Sequence, residues 1–323
     1  MSRPVAPPPG AHGDDVAQFA GRLGVDVDDL LDLAVSVNPC APDVAPLVAS
    51  AAHTVRHYPD AGPASDSLAR ALGIDPERIV LTNGGAEAIA LVAAAHPKGW
   101  VDDPDFSLYA RHLASIEAGA PRWRSNPHNP TGRLAPRDER ADVWDESFYA
   151  LATGCWTRGD AGATVVASLT KLFACPGLRI GYVIAPVAAA ATQLQARQPQ
   201  WAVSSIACAV LPRMLEAVDL PSTARRVAEL RGALVELLVA AGLAPEPSDA
   251  CFVLVRDATG LREHLARHAI LVRDTTSFGM PGGVRIAVPD DQGRDRLAGA
   301  LAAWAPSGTP MNSVRARRQR DAE

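Results

Sequence analysis

Only two lysines stand among 323 residues, Lys98 and Lys171, and nearly every other basic side chain is arginine. Lys171 lies between an apolar run, Thr164 to Leu169, and a turn at Pro176 and Gly177. An isolated lysine at a strand end is most often a solvated surface group. Its surroundings here favour chemistry. Arginine keeps its proton in proteins, whereas a partly buried lysine can become a neutral amine and form a Schiff base with a carbonyl. A second chemical feature lies upstream. Arg78 to Ile89 reads as strand, Gly84–Gly85 turn and Ala-rich helix. The free N–H groups at such a helix start, with its dipole, bind phosphate, and Gly85, Ala86 and Glu87 are placed to present them.

Ser168, Thr170, Lys171 and Arg179 recur in register over fifteen residues, Ser-Leu-Thr-Lys followed by Pro-Gly-Leu-Arg-Ile-Gly-Tyr. This segment resembles the cofactor anchor of fold-type I pyridoxal phosphate (PLP) enzymes. Within them it is most similar to the L-threonine O-3-phosphate decarboxylases of cobalamin biosynthesis, with the histidinol-phosphate aminotransferases as close relatives. The resemblance implies that Lys171 carries the cofactor and that Ser168, Thr170 and Arg179 bind its phosphate. It extends to Ser125-Asn-Pro-His-Asn-Pro-Thr-Gly132, where Asn129 matches the residue that bonds the cofactor's phenolic oxygen. In Val143-Trp-Asp-Glu-Ser-Phe148, Asp145 matches the partner of the pyridine nitrogen, which lets the ring accept electrons. Phe148 stands where aminotransferases usually carry tyrosine. Tyr109 matches the aromatic side chain stacked on the ring. Tyr58, before Pro59, matches a residue that reaches into a partner subunit, so a homodimer is expected. Arg285 matches the clamp on a substrate carboxylate, a task suited to its bidentate fork. Arg273 and His12 are expected on the substrate phosphate. In Leu31-Asp-Leu-Ala-Val-Ser-Val-Asn-Pro39, Asn38 keeps a substrate-site asparagine, while Ser36 replaces another.

These residues need a scaffold. The resemblance covers roughly His12 to Leu301 and implies an α/β fold: a large PLP-binding domain with a mostly parallel seven-stranded sheet, plus a small α+β domain. The expected division is an N-terminal segment, 1–39, packing with the small domain; a large domain, 40–200; a small domain, 201–306; and a solvated basic tail, 307–323. One departure stands out. Only residues 133–144 separate Gly132 from Asp145, and a parallel crossover needs a dozen or more residues, usually with a helix. A shortened sheet, or an extended connection in place of a helix, is therefore expected. Residues 186–198 read as a long Ala-rich helix linking the domains. Strands are expected at 251–255, 270–273 and 284–288, and Val227, Leu230, Leu234, Leu237 and Leu238 mark one helical face.

Composition bounds the rest. Apolar residues make up 48% and charged residues 21%, an ordinary globular balance with length for two domains. A net charge of -5 recruits neither nucleic acid nor anionic membrane. Five scattered cysteines without a Cys-x-x-Cys pair argue against a metal site or disulfide framework and fit reducing cytosol. No apolar run approaches a membrane span, and the Pro-rich start lacks an apolar signal core. The expected activity is decarboxylation of L-threonine O-3-phosphate to (R)-1-amino-2-propanol O-2-phosphate. The alternatives are a histidinol-phosphate aminotransferase-like reaction and a degenerate, non-catalytic PLP-binding protein, the latter suggested by the shortened connections.

Overall fold

The computed structural model describes residues 16–304. His12 and the basic tail lie outside the described residues. Seven strands form the larger sheet: β2 (Ile79–Thr82), β3 (Lys98–Val101), β4 (Ser115–Ile116), β5 (Arg122–Ser125), β6 (Val143–Asp145), β7 (Thr164–Ser168) and β8 (Gly181–Ile184). Their spatial order is β2-β8-β7-β6-β5-β3-β4. β3 to β7 pair in parallel, and β8 runs antiparallel to both its neighbours. β2, β6 and β8 are buried along their whole length. A strand covered on both faces reads as a continuous apolar run, and Ile79-Val-Leu and Thr164-Val-Val-Ala read that way.

The sheet has not lost a strand. What is missing is the helix between β5 and β6, replaced by an extended connection over residues 126–142. Such a connection leaves backbone carbonyls without helical partners. Arg158 supplies them. Its guanidinium donates to the carbonyls of Arg137 and Glu139, both at 2.8 Å, and lies 4.7 Å from the Trp144 ring. Glu139, on the same connection, is gripped by Arg122 and Arg124 from β5. The charged residues that looked unsuited to a crossover are therefore its fastenings.

The smaller sheet has the order β1-β10-β11-β9, where β1 is Leu31–Leu33, β9 Phe252–Val255, β10 Ile270–Asp274 and β11 Val284–Ala287. β1 comes from the start of the chain and pairs in parallel with β10. The expected long helix over 186–198 is short, Ala188–Gln195, and stops ahead of Pro199, which cannot continue it. The helix that ties the two cores together is instead Leu220–Ala240, opened by Pro221 and by an Asp219 cap on the Ser222 N–H. Leu220 and Val227 pack in the core beneath the larger sheet, and Leu230, Leu234 and Leu238 in that of the smaller.

Glu146, next to Asp145, is 3% exposed. Burial pushes its pKa up to about 7, against hydrogen bonds from Thr157 and the Arg158 backbone N–H. A carboxyl with a raised folded pKa holds its proton more tightly when folded. Its contribution to stability is then full below about 4.5 and lost as pH climbs toward 7. Replacing Glu146 by Gln should raise the thermal midpoint by several degrees at pH 8 and change it little at pH 4.5. Equal losses at both pH values would refute this.

Candidate active site

A cavity of about 590 Å³ opens between the two sheets. Its floor is made by the ends of β5, β6 and β7 and the start of the helix Gly84–Ala95, and its far wall by β10 and β11. Lys171 lines it from the short helix Leu169–Leu172, directly after β7. Burial lowers the pKa of this amine. The nearby Arg285 and Arg179 cations lower it further, while Cys251 and Asp145 oppose them. The amine therefore sheds its proton more readily than an ordinary lysine.

At one end the cavity is shaped for a phosphate. The helix Gly84–Ala95 has no side-chain cap, so its first N–H groups are not taken by a capping side chain. Gly85 and Ala86 line the cavity there, and Ser168 and Thr170 face them with hydroxyls 2.7 Å apart. Arg179, in the left-handed region at φ +54°, folds its guanidinium back over Gly84. Gly84 has φ +78°, and a Cβ on it would collide with that guanidinium. A Cβ on Gly181 would sit 2.7 Å from the Gly85 nitrogen. The glycines thus keep open the space in which N–H groups, hydroxyls and a cation converge. Glu87, expected beside them, does not line the cavity. Its carboxylate accepts from the Asn83 N–H at 2.6 Å and from Gln198 at 3.0 Å, which fixes the turn from behind.

At the centre lies Asp145, 8% exposed. Burial raises its pKa, and donors from the Ser147 N–H at 3.0 Å and the Tyr109 hydroxyl at 2.9 Å oppose the rise. Tyr109 also lines the cavity. Its ring is 0% exposed, packed against Phe106 and Trp123, and its hydroxyl serves the carboxylate. The half-buried ring in this loop is Phe106, which also lines the cavity. Both aromatics stand in the Pro104 to Tyr109 stretch, and spacing alone does not say which of them turns outward.

The opposite wall carries the arginines. Arg273 and Arg285 are register partners across β10 and β11, and both are buried. Arg285 donates to Asn129 Oδ1 at 2.6 Å and to the Ala34 carbonyl at 3.3 Å, and its Nε has no partner. Burial, with Arg273 alongside, pushes its pKa down to about 10. Arg273 donates to Ser277 at 2.8 Å. Two buried cations side by side on this wall suit an anionic ligand. Phe148, singled out by its motif, also lines the cavity, as do Ser147 and Phe278, which the sequence did not mark.

Two expected residues lie elsewhere. Asn38 is buried behind the lysine segment, donating to the Leu172 carbonyl at 2.9 Å and accepting from the Cys40 N–H at 2.9 Å. Its own N–H donates to the Lys171 carbonyl at 2.9 Å, so it braces the backbone that carries the lysine. Tyr58 is 76% exposed and stacked on Trp201 with ring centroids 4.3 Å apart, outside this cavity.

The donor set fits PLP: an amine of lowered pKa, a buried carboxylate, an amide beside an arginine, and a cradle that any Cβ at Gly84 would fill. Gly84→Ala should therefore weaken cofactor binding to the apoprotein by at least about 10-fold in a spectral titration. Unchanged affinity would show that Arg179 and the helix start do not hold the phosphate.

The chain is similar to a histidinol-phosphate aminotransferase of Rhodospirillum centenum, 29% identical over 94% of this chain and 99% of that protein. It is equally similar to a threonine-phosphate decarboxylase of Sinorhizobium sp, 28% identical over 94% and 99%. The fold matches the crystal structure of L-threonine-O-3-phosphate decarboxylase from Porphyromonas gingivalis, with TM-score 0.72, 23% identity, and 84% and 98% of the two chains covered. It also matches histidinol-phosphate aminotransferase from Sinorhizobium meliloti, solved in complex with pyridoxal-5'-phosphate, with TM-score 0.75, 20% identity, and 89% and 93% covered. A family model for aminotransferase class I and II covers residues 123–301, more than half of the sequence. The cradle, the carboxylate and the lysine thus sit in a chain that belongs to the aminotransferase class I and II family, with PLP as its cofactor.

Proposed function

We propose that this enzyme decarboxylates L-threonine O-3-phosphate to (R)-1-amino-2-propanol O-2-phosphate. The observation that carries the reading is the buried pair Arg273 and Arg285 on one wall. A substrate with a carboxylate and a phosphate offers an anion to each. Arg285, with its bidentate fork and an unpartnered Nε, takes the carboxylate; Arg273 takes the phosphate. His12 is assigned to the same phosphate. Phe148 supports the assignment, because its ring packs edge-on against Phe252 at 5.2 Å and brings no hydroxyl to the ring pocket.

When bound, PLP supplies an electron sink for the pair released at Cα. The chain decides which bond releases it. Arginines that fix the carboxylate fix the rotation about the Cα–N bond, and the bond held perpendicular to the ring is the one that breaks. Asp145 keeps a negative charge at the ring nitrogen, with Tyr109 and Ser147 holding the carboxylate in place. Asn129 offers its amide to the phenolic oxygen. As CO₂ leaves with the C–C bond broken, Lys171 Nζ, protonated beforehand by the incoming substrate's ammonium group, would deliver the proton that takes its place at Cα. The enzyme is read as a cytoplasmic homodimer in which Tyr58 reaches the partner subunit's cofactor phosphate. Among the described residues no helix is long and apolar enough to cross a membrane.

A second reading, transamination of histidinol phosphate, is favoured by the several similar proteins that carry that name. The two separate cleanly. Incubation with L-threonine O-3-phosphate should release CO₂ without consuming a keto acid, and histidinol phosphate with 2-oxoglutarate should yield no glutamate. The reverse pattern would transfer the assignment to the aminotransferases, and silence with both substrates would favour a non-catalytic binder. Lys171→Ala should abolish borohydride trapping of the cofactor. Arg285→Lys should raise KM for threonine phosphate by about 10-fold or more, from the lost bidentate contact.

A further inference from the structure

Asp105 is a buried carboxylate for which neither the motif nor the reaction has a use. It sits in the Pro104 to Tyr109 loop, 6% exposed, beside the cavity-lining Phe106. Its oxygens accept from the Phe106 N–H at 2.7 Å, the Ser125 N–H at 3.0 Å and the Ser125 hydroxyl. Arg124 and Tyr109 are the titratable neighbours that sense it. Burying a carboxylate without a salt bridge is costly, and burial pushes its pKa up to about 7. A serine or asparagine could tie the same loop with no charge at all. The charge calls for a reason beyond stability.

That reason lies in the direction of the hydrogen bonds. An ionised carboxylate only accepts, and a serine hydroxyl has one proton to give. Ser125 spends that proton on Asp105, so its lone pairs are left to accept. They accept the Asn129 backbone N–H at 2.7 Å. Asn129 in turn receives Arg285 Nη1 on its side-chain oxygen at 2.6 Å, which turns its NH₂ group away from the arginine. All four residues are at least nine-tenths buried. The four residues form a linked set running from the small sheet into the large one: Arg285 fixes the Asn129 side chain, and Asp105, through Ser125, fixes the Asn129 backbone.

We propose that Asp105 is a positioning residue for the cofactor ring: by holding both the N–H and the hydroxyl of Ser125 it fixes the oxygen on which the Asn129 backbone rests, and its loop holds Phe106 against the same ring. It acts through Ser125 and Asn129 and touches neither substrate nor cofactor. The role is the same whichever bond the enzyme breaks, so it stands apart from the decarboxylase assignment and is tested by binding rather than turnover.

Asp105→Asn is isosteric but brings two donors of its own. Whichever way its amide is turned, its single oxygen cannot replace both carboxylate oxygens, so the hold on Ser125 is loosened. The apoprotein is titrated with pyridoxal 5'-phosphate and followed by absorption. Asp105→Asn should weaken affinity about 10-fold, the loss expected when one buried hydrogen bond to the ring is misdirected. It should also shift the pH midpoint of the bound cofactor's absorption. The thermal midpoint of the apoprotein at pH 8 should change little, because removal of a buried charge offsets the lost hydrogen bond. Ser125→Ala should weaken cofactor binding similarly, and the double variant no further than either single one, since all three break one linked set. Unchanged affinity in Asp105→Asn, or a loss of affinity that only tracks a lowered thermal midpoint, would overturn the proposal, as would additive losses in the double variant.

Discussion

One buried hydrogen bond holds the site together: Arg285 Nη1 to Asn129 Oδ1, 2.6 Å long. Its donor stands on β11 of the smaller sheet, and its acceptor on the connection that leaves β5 of the larger one. Neither sheet alone contains both an anion-binding wall and a phosphate cradle. The bond matters beyond its own strength because both partners are buried, and a buried guanidinium or amide left unpaired carries the full cost of desolvation. In the proposed reaction it also couples recognition to chemistry, because it joins the arginine assigned to the substrate's carboxylate to the asparagine assigned to the cofactor ring.

Around that bond, charges are held at the edge of what a protein interior tolerates. Lys171 is depressed by burial and by two guanidinium groups, while Asp145 is raised by burial and restrained by two donors. Arg285 falls to about 10, and Asp105 and Glu146 rise to about 7. Desolvation is the first cause in each case. Burial pushes Lys171, Asp145, Arg285 and Asp105 toward neutrality, and hydrogen bonds to Asp145 and Asp105 oppose the shift. That condition suits a reaction driven by electrostatics around a bound ring, since fixed dipoles act more strongly where water is excluded.

The shortened crossover shows what the family fold can spare. A helix between β5 and β6 is dispensable provided that something satisfies the exposed carbonyls and covers the sheet. Arg158, Glu139 and the two β5 arginines meet both needs, and β6 keeps its register, with Ser125 opposite Asp145. Asp145 remains at the cavity floor because register with β5 and β7, not the length of the connection, places it.

Local chemistry was legible in the chain itself. A glycine turn between an apolar strand and an Ala-rich helix, a lysine where arginine is otherwise preferred, and Asn129 and Asp145 in their motifs mark the cradle, the amine and the ring partners. These depend on residues within a few positions of one another, which linear order preserves. Other assignments required the folded molecule. Tyr109 lines the cavity but turns its hydroxyl to Asp145 and packs on Trp123, partners from β6 and β5 that its own motif does not name. Asn38 turns to brace the lysine segment, since its nearest carbonyl belongs to Leu172, far away in sequence. Asp105 could not be singled out at all: its partner is Ser125, and a lone carboxylate in a loop reads as solvated until burial shows otherwise. The chain alone determined which groups can do chemistry; only the tertiary structure decided which way each faces, because direction is set by hydrogen-bond partners that sequence order does not bring together.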